Sequence, residues 1–148
     1  MTFHTASAIM SLYGRLEDQA VEFFEALAGK YLEHNCQFVD LAAEHRKERE
    51  MVLRAYREGI TDTAEVGFSF EGLDESQYAI ELKLKKDRSL TDDLRKALEV
   101  EEKTTRFCLD ASRSSRGLLS DISQAFERSA RRKNDNKRVL ERLLEEAQ

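Results

Sequence analysis

The chain has 148 residues with 41% hydrophobic and 36% charged content, which is one domain's worth and enough to bury a single core behind strongly polar outer faces. Its net charge of −5 argues against a general nucleic-acid binder. No stretch reaches the roughly 18 apolar residues of a membrane span, and no charged N-terminal region precedes an apolar run, so a cytoplasmic chain without membrane contact is expected.

Two cysteines, Cys36 and Cys108, make no disulfide framework, which fits a reducing compartment. The absence of proline lets long helices run uninterrupted, because nothing removes an N–H or clashes with the preceding turn. The expected architecture is one all-α domain over residues 1–148.

The first helix is expected from about Thr5 to about Ala28, with core positions Ile9, Leu12, Leu16, Ala20, Phe23 and Leu27. Gly29 reads as its stop. Asn35 can cap a second helix that reaches about Glu58 and ends at Gly59. So short a connection makes the two helices an antiparallel hairpin.

Residues 59–90 differ in character. Ile60 to Gly72 holds Phe68 and Phe70 but no helical period, and Asp74 to Lys86 reads as a short helix or an extended stretch, with helix preferred. A connection of this length can carry the chain along the whole bundle, and part of it should be ordered there. Thr91, followed by Asp92 and Asp93, reads as the start of a third helix running to about Arg116, with Gly117 at its end. Ser120 or Asp121 starts a fourth that reaches almost to Gln148. Hairpin, long crossover, hairpin is one topology of the four-helix bundle.

Each helix carries polar residues on its apolar stripe. Positions three, four and seven apart share a helix face. Glu17 shares one with Tyr13, Ala20 and Phe24. His45 and Glu48 lie on the stripe of Phe38, Leu41 and Val52, and Glu101 on that of Leu94, Leu98 and Cys108. Lys133 and Asn136 repeat the His45/Glu48 spacing on the stripe of Phe126, Ala130 and Leu140. Burying one unpartnered charge costs several kcal/mol, so charges on all four stripes imply that they meet. For Glu101 a stripe-edge position with its head in water is an equal alternative, because Glu99 and Glu102 make this helix acidic in general.

In these positions the chain resembles the rubrerythrin branch of the ferritin-like family. The likeness runs through Leu16-Glu17-x-x-Ala20-x-x-Phe23-Phe24-Glu25-x-Leu27-Ala28 and Phe38-x-x-Leu41-Ala42-x-Glu44, then Glu101 before Phe107 and Phe126 before Lys133. It implies a ferritin-like four-helix bundle with a long crossover between helices two and three. It also implies oxidoreductase or iron-handling ancestry, with two irons held by a glutamate from each of helices one and three and a Glu-x-x-His pair from each of helices two and four.

Glu17 and Glu101 fall on the single-glutamate positions. The second helix carries the pair inverted, His45-x-x-Glu48, and the fourth places Lys133 and Asn136 where glutamate and histidine would stand. An ammonium has no lone pair to donate, and an amide oxygen is a weak iron ligand. No Cys-x-x-Cys pair is present for a second iron site.

Two states of the layer follow. In one, Lys133 and a protonated His45 balance Glu17, Glu48 and Glu101, with Asn136 in the same layer and no metal. In the other, one iron or other divalent ion is held by Glu17, His45 and Glu48, with Glu101 a further candidate ligand, while Lys133 pairs Glu101. The expected function is a divergent rubrerythrin-like protein binding at most one metal ion, with di-iron chemistry reduced or lost. The alternative is a non-catalytic bundle for partner binding or regulation with a salt-bridged core.

The bundle is expected to form a homodimer through a helix face. The basic residues Arg106, Arg113, Arg116, Arg128, Arg131, Arg132, Lys137, Arg138 and Arg142 read as a solvated face, because Asp121, Glu127, Asp135 and Glu141 lie among them. His34 and Cys36 complete no zinc spacing; a surface histidine and a partly buried cysteine are expected there, and Cys108 is expected in the core.

Overall fold

Among the described residues of the computed structural model (2–3, 5–59, 73–83, 85–115 and 120–148), four long helices carry the chain: α1 (Ala6–Lys30), α2 (Asn35–Gly59), α3 (Leu90–Ser115) and α4 (Ser120–Ala147). The only pairing of strands among these residues is two residues long. Strand β1 (Thr2–Phe3) meets β2 (Leu73–Asp74) antiparallel, Thr2 opposite Asp74 and Phe3 opposite Leu73.

Thr5 caps α1, its side-chain oxygen accepting from the Ala8 N–H at 3.1 Å. Gly29 does not stop the helix, which runs to Lys30 and closes where the Tyr31 N–H donates to the Leu27 carbonyl. A glycine close to a helix end marks a stop only if the chain turns left-handed there. Asn35 serves the helix before it: its amide donates to the Ala28 carbonyl at 3.0 Å, while its own backbone is already helical. On α3 the start shifts by two residues, with Ser89, not Thr91, accepting from the Asp92 N–H at 3.1 Å. The expected end of α3 at Arg116 and Gly117 and the stretch Ile60–Gly72 lie outside the described residues.

Pairwise contacts fix the helix directions. Asn35 reaches Ala28 at one end of the α1/α2 pair, and Gly14 lies against the Arg49 guanidinium further along, so the two are antiparallel. Tyr13 stacks on Phe107 and Lys30 pairs with Asp93 at 2.7 Å, so α3 also runs against α1. Ser112 meets Ser123 at 3.0 Å and Cys108 meets Ser129, which makes α3 and α4 a second hairpin. It follows that α2 and α3 point the same way.

Between them, residues 73–83 and 85–89 lie on α1 and α3. Glu75 pairs with Arg15, Tyr78 donates to Asp110 and packs edge-on against Phe107, and Lys103 holds the Gln77 carbonyl. Further on, Lys30 holds the carbonyls of Lys85 and Arg88. The segment thus advances from the first half of α1 to its last residue. Its described residues form no α-helix. After β2 a 3-10 turn (Glu75–Tyr78) capped by Asp74 is the only helical piece among the described residues of the Asp74–Lys86 stretch expected to be helical. An extended chain covers that distance in fewer residues, at about 3.3 Å per residue against 1.5 Å in a helix.

The apolar core has two parts. Ile9, Leu12, Tyr13, Phe107, Ile122 and Phe126 are buried towards the N-terminal half of α1. Ala20, Phe24, Leu27, Phe38, Leu94 and Leu140 are buried towards its C-terminal half. The polar positions named from sequence lie between these parts.

Candidate functional site

All six residues of the expected layer are buried: Glu17, His45, Glu48, Glu101, Lys133 and Asn136. Glu101 therefore sits inside the stripe and not at its edge. The i, i+3 spacing on α2 turns both His45 and Glu48 inward, and the same spacing on α4 turns Lys133 and Asn136 towards them.

Lys133 is the hub of one half. Its Nζ lies 2.9 Å from Glu48 Oε1 as a hydrogen-bond donor, and 2.9 Å from Glu17 Oε1 in a contact held by charge and not by an aligned hydrogen bond. Ser129, one turn before Lys133, donates to the same Glu48 oxygen at 3.0 Å. His45 is the hub of the other half, with Nδ1 3.0 Å from Glu17 Oε2 and Nε2 2.5 Å from Glu101 Oε1. Phe24 stacks on the imidazole at 5.5 Å between ring centroids and fixes its plane. Asn136 closes the chain, its amide 3.4 Å from Glu101 Oε2. The order is Ser129–Glu48–Lys133–Glu17–His45–Glu101–Asn136, with residues from all four helices.

The charges follow from these neighbours. Burial favours the neutral form of Glu17, but the Lys133 ammonium and the His45 ring outweigh it and bring the carboxyl down to about 2. Burial likewise favours neutral His45, and the carboxylates of Glu101 and Glu17 overcome it, raising the imidazole to about 10. An imidazole hydrogen-bonded to a carboxylate through each nitrogen is a doubly protonated imidazolium, donating on both sides. Lys133 is held well above its usual value by Glu17 and Glu48, against the effect of burial. Glu48 is shifted up, because desolvation exceeds the pull of Lys133. Cys108, beside Ser129, is pushed up to about 12 by burial and stays a thiol, as expected of a small core residue.

The donor set does not fit two irons. A metal ligand must present a lone pair, and both ring nitrogens of His45 point at carboxylates as donors. The fourth-helix position nearest Glu17 and Glu48 is an ammonium, which repels a cation. Among the described residues, no group of three His, Cys, Asp or Glu side chains is disposed to hold a metal ion. The expected alternative in which Lys133 pairs Glu101 is also not the arrangement present: Lys133 meets Glu17 and Glu48, and Glu101 is met by His45 and Asn136.

Ser129 was not among the expected site residues. Its position four residues before Lys133 on the same face was the available signal. Cys36 is exposed, not partly buried, because it opens α2 on the side away from the core. Apart from the buried Lys133, the basic residues of α3 and α4 that the structure describes are exposed or half-buried at the surface, with Arg138 paired to Asp135. No helix is long and apolar enough to cross a membrane among the described residues.

No protein-family model, no curated protein and no solved structure matches the chain.

Proposed function

We propose that this chain is a ferritin-like bundle of rubrerythrin type in which Lys133 and a protonated His45 supply the positive charge that metal ions would otherwise bring to the layer. On this reading it is a non-catalytic bundle for partner binding or regulation, and not a di-iron oxidoreductase. The ferritin-like topology is supported by the parallel course of α2 and α3 and by residues 73–83 and 85–89 lying along α1 and α3, as the described part of a long crossover would.

A single observation carries the functional reading: the Lys133 ammonium is seated 2.9 Å from both Glu17 and Glu48. A cation already stands among the carboxylates, and both nitrogens of the only histidine in the layer are spent. A one-metal site on Glu17, His45 and Glu48 would need His45 to give up a proton and Lys133 to leave its two partners.

The test is aerobic loading with ferrous iron, followed by metal analysis and absorption spectroscopy. The protein should retain well under two irons per chain and show no oxo-bridge band. The double variant Lys133→Glu, Asn136→His restores the glutamate and histidine of the family pattern on α4 and should take up more iron than its parent. Two tightly bound irons in the unaltered protein would overturn the proposal.

A further inference from the structure

A cleft of about 690 Å³ runs along the seam between α1 and α2, within the size range of small-molecule sites. Arg15, Arg49 and Arg57 line it, and Met10, Leu53 and Tyr56 give it an apolar wall. None of the six residues of the charged layer takes part in it.

Gly14 lies at the floor of this cleft. It stands in the middle of a 25-residue helix, where glycine is less stabilising than alanine. The backbone there is helical and calls for no glycine. A Cβ at this position would meet its nearest neighbour, Arg49 Nη2, at 3.5 Å, an ordinary contact. Packing therefore does not require the glycine either. What the missing side chain leaves is access to the Arg49 guanidinium.

Arg49 is the fixed group of the cleft. It is half-buried, with Nε 3.0 Å from Asp18 and Nη1 3.5 Å from Glu50. Among the described residues Nη2, the amino group beside Gly14, donates to nothing. Arg57 lies 3.8 Å from the other oxygen of Glu50, and Arg15 lies 3.2 Å from Glu75. Each arginine thus has an acid beside it, so the cleft is not a field of bare positive charge. Both contacts to Glu50 are longer than a good hydrogen bond, and that side chain is 61% exposed. Exposed pairs of this kind are worth little, so a better-aligned anion can displace Glu50.

We propose that this cleft binds a small amphipathic anion, its carboxylate or phosphate head held by Arg49 and Arg57 above Gly14 and its apolar body against Met10, Leu53 and Tyr56. A guanidinium presents a planar fork of N–H donors that fits two oxygens of such a head, which an ammonium does not. The cleft is larger than a bare inorganic anion fills. Its apolar wall adds burial that a surface ion pair lacks. Because the charged layer is not involved, this site and the proposal on metal stand or fall separately.

Isothermal titration of the full chain with 1-naphthyl phosphate and 1-naphthoate tests it, with inorganic phosphate and 1-naphthol as comparisons. At least one naphthyl anion should bind, one per chain, with a Kd below about 1 mM. The tighter of the two tells phosphate from carboxylate recognition. Inorganic phosphate and 1-naphthol should bind at least roughly tenfold more weakly, since each lacks one half of the ligand. Arg49→Lys keeps the charge, removes the fork and should weaken binding roughly tenfold. Gly14→Leu should fill the cleft and abolish binding, with circular dichroism checking that the helices remain. Gly14→Ala should raise the urea midpoint while weakening binding, which a glycine kept for packing would not do. The inference is overturned if neither naphthyl anion binds at about 10 mM, or if 1-naphthol or inorganic phosphate binds as tightly as they do. Unchanged affinity in Arg49→Lys and Gly14→Leu would overturn it as well, as would a lowered midpoint in Gly14→Ala.

Discussion

Lys133 touches two carboxylates from two different helices, and neither has another full countercharge on that side: Glu17 shares His45 with Glu101, and Glu48 has only the Ser129 hydroxyl besides. Lys133→Met keeps the length of the side chain and removes the charge. It should destabilise the protein by roughly 3–5 kcal/mol in urea unfolding, the cost of leaving buried acids unpaired. A change within about 0.5 kcal/mol, as at surface sites, would mean that the ammonium balances nothing. The layer also sets a pH profile. His45 rises from 6.5 to about 10 on folding, so its contribution is full below 6.5 and is lost as pH climbs through about 10. Glu17 falls from 4.5 to about 2, so its contribution is present above 4.5 and is lost as pH drops through about 2. Glu48 is shifted the other way and costs stability as pH rises above 4.5. Urea midpoints measured against pH should therefore fall on the alkaline side, and His45→Gln should flatten that fall.

At the scale of elements, the end of the segment before α3 is held by a clamp. Lys30, the last residue of α1, donates to the Lys85 and Arg88 carbonyls and to Asp93 Oδ2. The Tyr31 hydroxyl donates its one proton to the same carboxylate oxygen, with the Arg88 carbonyl 3.3 Å away, and Asp93 is itself buried. All three donors of an ammonium are thus spent on fixing residues 85–93 to the end of α1. Asp93→Asn removes the charge at the centre of the clamp. It should cost about 1.5–3 kcal/mol, the worth of a hydrogen bond to a charged group. Hydrogen exchange should speed up at residues 85–90 before it does in α1 or α4; equal protection across the chain in the variant would show that the clamp does not hold the segment. This element was the least legible in sequence. Asp74–Lys86 contains good helix formers, and local propensity favoured a helix, but the segment has to follow α1 and α3 over a distance that an extended chain covers more economically.

Across the whole molecule, the charged layer divides the apolar core into two parts, one around Tyr13, Phe107 and Phe126 and the other around Phe24, Phe38 and Leu140. A buried ion network is weak evidence for stability, since desolvation can exceed what the pairing returns. Replacing the full set (Glu17, His45, Glu48, Glu101 and Lys133) by leucine and methionine of similar volume should give a bundle as stable as the parent, or more stable by about 1–4 kcal/mol. Any one of these replacements alone should be destabilising. Thermal and urea unfolding of the fivefold variant decide this; a marked loss of stability would mean that the network contributes net folding energy. The same variant should lose fixed register before it loses helix content if the network's role is to select one arrangement of the four helices.

The amino-acid sequence by itself determined the four helices and the inward faces of Glu17, His45, Glu48, Lys133 and Asn136, because helical period fixes which residues share a stripe and apolar neighbours show which way the stripe faces; Glu101 it left between the stripe and its edge, and packing buried it. It also determined that an ammonium shares the layer with at least two acids. It could not pair them. Which carboxylate Lys133 meets depends on the relative height of four helices, and periodicity carries no information about sliding one helix past another. Tertiary packing placed Lys133 between Glu17 and Glu48 and left Glu101 to His45 and Asn136. It also decided the helix caps that shifted, since Asn35 and Ser89 answer to which backbone groups end up beside them in space.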